Sequence, residues 1–453
     1  MKVIEGFESA KPMLSRQALT ELYPVSSELR RRLKELFVVD DPEMVVRQII
    51  EEVRNRGDAT LLDYALKIDG IKLTSLEVTR NEISNAYTKI DNELLPSLKL
   101  AAERIRSFHQ TQKDSILGRV VKNISVQIRP LERIGIYAPG GNANYPSTVL
   151  MTAIPARVAG VKEIILVTPP RKNGAVSPPT LVAADIAKVD RIFAVGGAQA
   201  IAALALGTAS IPRVDKIYGP GNIFVTLAKK LVYGLVGIDG LQGPSEILII
   251  ADETTDPEYC AADLLAQAEH DSLASAILIT TSPSLARKVM HQLKQQLENL
   301  PRKIIATKSL ENGAIVIVDS IEQAIELANL YAPEHLCLMI EKAPRYTDQI
   351  YNAGCIFIGE RATVVLGDYI AGPSHVLPTG GTARFSSPLN INDFMKLTNL
   401  VTIDEAILKQ LGQAVGAIAR AEGLEAHARA IEIRLGKDWK GGRFGRNRKI
   451  HTL

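Results

Sequence analysis

Cysteine is scarce in this chain. Cys260, Cys337 and Cys355 are the three in 453 residues, and no two form a CxxC pair. An odd, scattered set supports neither a disulfide framework nor a thiolate zinc site. It suits a reducing compartment, so the expected location is the cytoplasm. Net charge is also small: the +3 total argues against a general polyanion partner. That charge is uneven. Residues 437–453 hold six Lys/Arg against one Asp, which leaves the rest of the chain at about −2. Such a tail is expected to be disordered, with nucleic-acid contact the weaker alternative. The opening "MKVIEGFESAKP" has no apolar core and does not read as a secretory signal. Long uninterrupted apolar spans are missing too. The uncharged stretch 134–156 contains three Pro and three Gly, and 192–212 carries a Gly196–Gly197 pair where a strand would turn into a helix. A membrane span is not expected from either.

What is present is periodicity. At this length, two to four domains are expected. Residues 43–110 read as helices; Leu98, Ala101, Ile105 and Phe108 recur at helical steps. From about 130, short β-rich runs alternate with helical ones. The first set of strands is "ERIGIYA", "EIILVT", "RIFAVG" and "DKIYG". The second is "EILIIA", "SAILITT", "AIVIVD", "HLCLMI" and "CIFIG". Alternation of this kind predicts an α/β fold with two doubly wound, incomplete Rossmann-like parallel sheets, plus small helical segments at both ends. The expected boundaries are a helical segment over 1–29 and a first α/β domain built from 30–130 and 246–388. A second α/β domain covers 131–245, a helical segment 389–436, and the basic tail 437–453.

Seven histidines can each be weighed. His291 falls on the solvent face of its helix, His109 is read at a helix end, where a cation suits the dipole, and His451 is in the tail. Four remain. His270 follows Gln267 by three residues, within about 60° around a helix, so an amide oxygen and an imidazole could share one cation. Alone, QxxH is a weak signal, and a helix-end histidine is the more frequent case. Glu334–His335 opens a strand after Pro333; an adjacent carboxylate and imidazole suit proton transfer, and a structural role is equally open. "LGDYIAGPSHVLPTGG" is a polar Gly/Pro-rich loop with Asp368 and His375. Such a loop is costly to order without a reason. Glu422 and His427 stand five residues apart, about 140° around one helix, and would diverge unless the helix begins at Gly423. "YAPGGNANYPS" and "GPGNIF" could offer backbone amides to an anion, and neither carries a full GxGxxG.

Together, "RIGIYAPGG", "VGGAQAIAALALGT", "VDKIYGPGN", "GPSEILIIADE", "AADLLAQAEHD", "YAPEHL", "GDYIAGPSHVLPT" and "AEGLEAHARA", in this order, resemble histidinol dehydrogenases over about 30–435. The resemblance implies NAD+-linked, zinc-dependent oxidation of L-histidinol to L-histidine through bound L-histidinal. It implies one zinc per subunit on Gln267, His270, Asp368 and His427. Glu334 and His335 would be catalytic. Ser245, Gln267, His270, His335, Asp368, Glu422 and His427 would line the substrate site, and Tyr137, Gln199 and Asn222 would contact NAD+. It further implies a homodimer in which Glu422 and His427 reach the partner's site. Gln242 departs from the small residue usual before "GPSE", a change expected to perturb the Ser245 loop modestly. His375 has no assigned role beyond a hydrogen bond behind the site. The alternatives are a related zinc/NAD dehydrogenase for another small alcohol and, less favoured, a zinc hydrolase.

Overall fold

The structure is a computed structural model and describes residues 1–16, 25–118, 126–140 and 144–436. The basic tail from 437 lies outside the described residues, as do 141–143 of the Gly-rich loop. The described residues divide between two compact units, one within Met1–Arg119 and Arg129–Lys396, the other within Val120–Ile128 and Leu397–Leu453.

The first unit holds both expected sheets. The smaller has five parallel strands in the order Arg191–Ala194, Glu163–Thr168, Arg133–Tyr137, Lys216–Tyr218, Gly237–Ile238. Ile164 to Val167 are buried without alternation, because helices cover both faces. On one face pack Arg80–Ala86, Leu94–Gly118, Pro146–Ala159 and Pro178–Ile186. On the other pack Pro42–Arg56, Asp58–Asp69, Gly197–Leu206 and Ile223–Val232. The helices of 42–118 therefore belong with the smaller sheet. Assigning 30–130 to the sheet of 246–388 is corrected here: helical periodicity marks an apolar stripe but not which sheet buries it.

The larger sheet has six parallel strands: Lys2–Glu5, Ala314–Ile317, Ser275–Thr280, Glu246–Ala251, His335–Met339, Cys355–Ile358. Helices Pro257–Ala268, Pro283–Leu297 and Lys303–Asn312 cover one face, and Phe7–Leu14 and Ile321–Tyr331 the other. The N-terminal segment, expected as helical, opens with the edge strand Lys2–Glu5. It is too short to show a period, and it exists because Ala314–Ile317 offers a free ladder.

Setting that edge strand aside, both sheets share one order: the third, second and first strands, then the fourth and fifth. In the smaller sheet the order reverses between Arg133–Tyr137 and Lys216–Tyr218, the crevice where open α/β sheets receive ligands. The short connection 239–245 leaves the carboxyl edge of the smaller sheet and enters the amino edge of the larger one at Glu246.

In the second unit, helix Glu405–Ala421 is followed by helix Glu425–Leu435. No helix among the described residues is long and apolar enough to cross a membrane.

Candidate active site

The polar residues of "LLAQAEHDS" sit where a helix stops. Helix Pro257–Ala268 starts on the Asp256 cap and ends with Gln267 buried, 3% exposed. The chain then turns, and the His270 N–H donates to the Gln267 carbonyl at 3.2 Å. Asp271 accepts from the Leu273 N–H at 2.8 Å and closes the turn. Gln267 and His270 thus share a helix end, with His270 open to solvent.

Glu334 and His335 lie at the amino end of strand His335–Met339, 7% and 4% exposed. Before them, Ala332 takes φ +50, a left-handed conformation that stops helix Ile321–Tyr331 ahead of Pro333. The first strand residue of "GPSE", Glu246, holds both. Its N–H donates to Glu334 Oε2 at 2.8 Å, and its carbonyl accepts from His335 Nδ1 at 3.0 Å. A carbonyl only accepts, so Nδ1 carries the proton and the neutral ring has its lone pair on Nε2. Nε2 lies 3.5 Å from Asp368 Oδ1, and Nδ1 lies 3.5 Å from Glu334 Oε2.

Asp368 is delivered by the short helix Val364–Tyr369, capped by Thr363. Gly367 permits this approach, since a Cβ there would sit 2.7 Å from the Phe357 ring. His375 donates from Nδ1 to the Asp368 carbonyl at 2.7 Å, which gives it a positioning contact. Burial pushes the Glu334 carboxyl above its ordinary range, against the pull of His335 and the Glu246 N–H. Burial by itself would depress His335, but the charge of Glu334 and the bond to Asp368 outweigh it and favour the imidazolium, so the Nδ1–H tautomer is the form left when Nε2 gives up its proton. Asp368 resists burial in turn: His335, His375 and His270 hold it low.

The Asp368 carboxylate lies within electrostatic reach of His270, His335 and His375. Among the described residues, no three His, Cys, Asp or Glu side chains form a ligating cluster. One chain offers the Gln267 amide, the His270 imidazole and the Asp368 carboxylate, an N/O donor set whose chemistry suits zinc. Glu422 and His427 belong to the second unit and are exposed. They do not share a helix: Glu422 caps Glu405–Ala421, Gly423 takes φ +76, and His427 lies on Glu425–Leu435.

The residues expected at the nucleotide gather at the carboxyl end of the smaller sheet. Tyr137 ends its strand, and its hydroxyl accepts from the Gly197 N–H at 3.2 Å. Gln199, 2% exposed in the first turn of Gly197–Leu206, keeps a buried Oε1 without a hydrogen-bond partner among the described residues. Asn222 caps helix Ile223–Val232. Gly219 lets this loop pass the strand: with φ +112, its Cβ would fall 2.0 Å from the Tyr137 carbonyl oxygen. An orphaned acceptor, a helix start and the reversal of strand order between them fit a dinucleotide.

Gln242 is an integrated residue. Its Oε1 accepts from Lys229 Nζ at 2.7 Å, and the same buried ammonium meets the Gly219 carbonyl at 3.0 Å and pairs with Asp239. Two more residues were not anticipated from sequence. Glu246 carries no signal of its own beside Ser245, and Arg16, which forks onto Glu246, carries no local motif.

Residues 34–435 match the family model described as histidinol dehydrogenase. The chain is 56% identical over 438 residues to the histidinol dehydrogenase of Dehalococcoides mccartyi strain CBDB1, covering 96% of this chain and 100% of the relative. It is 51% identical over 409 residues to that of Clostridium acetobutylicum, covering 89% and 95%. It is also similar to the crystal structure of histidinol dehydrogenase from Elizabethkingia anophelis, with a TM-score of 0.87, 37% identity, and coverage of 96% and 98%. With this breadth of match on a site of this composition, the chain belongs to the histidinol dehydrogenase family.

Proposed function

We propose that this chain is a cytoplasmic, zinc-dependent enzyme that oxidises L-histidinol to L-histidine through bound L-histidinal, closing histidine biosynthesis. One observation carries the reading: His335 is held in a single tautomer by the Glu246 carbonyl, with Glu334 on one side and Asp368 on the other. Gln267, His270 and Asp368 of one subunit, with His427 of a second copy, would hold the zinc. Tyr137, Gln199 and Asn222 would hold the nucleotide. When bound, NAD+ would supply the hydride acceptor and zinc would supply a Lewis-acid centre that orients the substrate.

The protein's own groups move the protons. His335 Nε2 accepts the alcohol proton as hydride leaves the carbinol carbon, giving histidinal. Glu334 then takes a proton from water as the water oxygen adds to the aldehyde carbon, and His335 returns its proton to the aldehyde oxygen, which gives the hydrate and frees Nε2. His335 takes the hydrate's hydroxyl proton as the second hydride leaves. Across both steps, one histidinol, one water and two NAD+ yield one histidine, two NADH and the released protons. Ser245 and Glu422 complete the substrate pocket, Glu422 facing the cationic amine from the partner subunit. Exposed Leu411, Val415 and Ile418 on helix Glu405–Ala421 supply an apolar face for that homodimer.

The test is absorbance at the NADH band with purified protein, L-histidinol and excess NAD+, before and after chelation. Two NADH per histidinol, lost on chelation and restored by zinc, are expected. No NADH from histidinol with zinc bound would discard the reading.

A further inference from the structure

We infer that Arg16 is a positioning residue for the catalytic pair, acting through Glu246. The inference rests on the reading of Glu334 and His335 as the groups that move protons. Glu246 is the first residue of its strand, where the ladder ends and backbone is free to fray. Yet its N–H and carbonyl are the groups that hold Glu334 and His335. Something must hold Glu246 itself.

Its side chain shows what does. Arg16 Nη1 and Nη2 donate to Glu246 Oε1 and Oε2, each at 2.7 Å, a two-pronged fork with side chains only 12% and 7% exposed. Arg16 is fixed in turn. Its Nε donates to the Tyr331 carbonyl at 2.7 Å, and its guanidinium lies 3.7 Å from the centre of the Tyr331 ring. The Tyr331 hydroxyl donates to Ser275 Oγ at 2.8 Å. Arg16 takes φ +54 to reach this position. Glu246 Oε1 also accepts the Gly380 N–H at 3.1 Å, and Oε2 the Glu334 N–H at 3.4 Å.

The result is a clamp. Arg16, Tyr331 and Gly380 fix the Glu246 carboxylate, and Glu246's backbone fixes the orientation of the carboxylate and the imidazole. Arg16 also neutralises Glu246, so Glu334 does not face a second uncompensated carboxylate. Lysine would keep the charge but could not span both oxygens.

The experiment compares Arg16→Met, Arg16→Lys and the charge-free pair Arg16→Met/Glu246→Leu with Glu334→Gln and His335→Asn in the zinc-loaded enzyme. The paired variant avoids leaving a buried carboxylate unpaired, which by itself could unfold the protein. Turnover is measured separately from L-histidinol and from supplied L-histidinal, on protein shown to be folded by its thermal transition. We expect kcat to fall roughly 10- to 100-fold in Arg16→Met and in the pair, as misplaced catalytic groups do. KM for histidinol and NAD+ should change little, and Arg16→Lys should recover part of kcat. Folded variants with wild-type kcat, or a loss confined to KM, overturn the inference. If Glu334→Gln and His335→Asn keep their turnover, the reading of the catalytic pair fails first, and that result is read independently of Arg16.

Discussion

His109 shows how little a histidine's sequence neighbours say about its charge. The sequence reading puts it at a helix end, where a cation suits the dipole. Instead it lies inside helix Leu94–Gly118, fully buried, with Nδ1 3.3 Å from Gln112 Oε1 and no hydrogen-bond partner for Nε2 among the described residues. Burial drives its pKa from 6.5 to about 4, so the folded protein holds it neutral. A folded value below the unfolded one means full stabilisation above pH 6.5, lost as pH falls toward 4. Between pH 7 and pH 5 this one group should cost the native state about 2 kcal/mol. His109→Leu removes the titration, so its urea-unfolding stability should fall less over that range by about the same amount. An equal fall in both proteins would show that His109 already ionises in the native state. At this scale the candidates Gln267 and His270 were legible because polar groups in an apolar run need a reason, Asp368 because an ordered polar loop needs one, and Glu334–His335 because an adjacent carboxylate and imidazole suit proton transfer. Arg16 and Glu246 were not, because an ion pair between residues 230 positions apart leaves no local pattern.

At the scale of elements, the turn that follows strand Lys216–Tyr218 is the tightest junction in the proposed cofactor crevice. Gly219→Ala would place a methyl group 2.0 Å from the Tyr137 carbonyl at φ +112. Because the obstacle is backbone, it cannot swing aside. Stability should drop by at least ~1–3 kcal/mol, and NADH affinity should drop with it. Gly70→Ala is the control: φ is +69 with nothing within 4 Å, so only the conformational cost of about 1 kcal/mol applies. Denaturant titration with NADH fluorescence reads both; equal losses at the two positions would refute the steric account. The strands themselves were readable, because buried β-rich runs between helical segments have few other solutions. Their partners were less so. The edge strand Lys2–Glu5 and the packing of helices 42–118 on the smaller sheet depend on surfaces built by distant residues.

At the scale of the whole molecule, the proposed site needs two copies of the chain. His335→Asn and His427→Asn homodimers should each be inactive. Mixed and allowed to exchange, half the dimers are mixed, and each mixed dimer holds one site with both native residues, so about a quarter of wild-type activity should return. No recovery under exchange would place His427 in its own subunit's site or outside the chemistry. The exposed Leu411, Val415 and Ile418 make the apolar face of Glu405–Ala421 the first place to weaken assembly.

The sequence alone determined what is local and periodic: two sets of alternating strands and helices, the end of a helix at Gln267–His270, and a Glu–His pair opening a strand. These follow from side-chain spacing and from the cost of stranding polar groups. Only the tertiary structure decided which strands neighbour one another, that both sheets share one strand order, and that Glu246 presents its backbone to both members of the Glu–His pair while Arg16 grips its side chain. The physical reason is that a hydrogen bond depends on where two groups meet in space, and the meeting of residues 16, 246 and 334 is set by sheet order and helix packing, which no window of neighbouring residues contains.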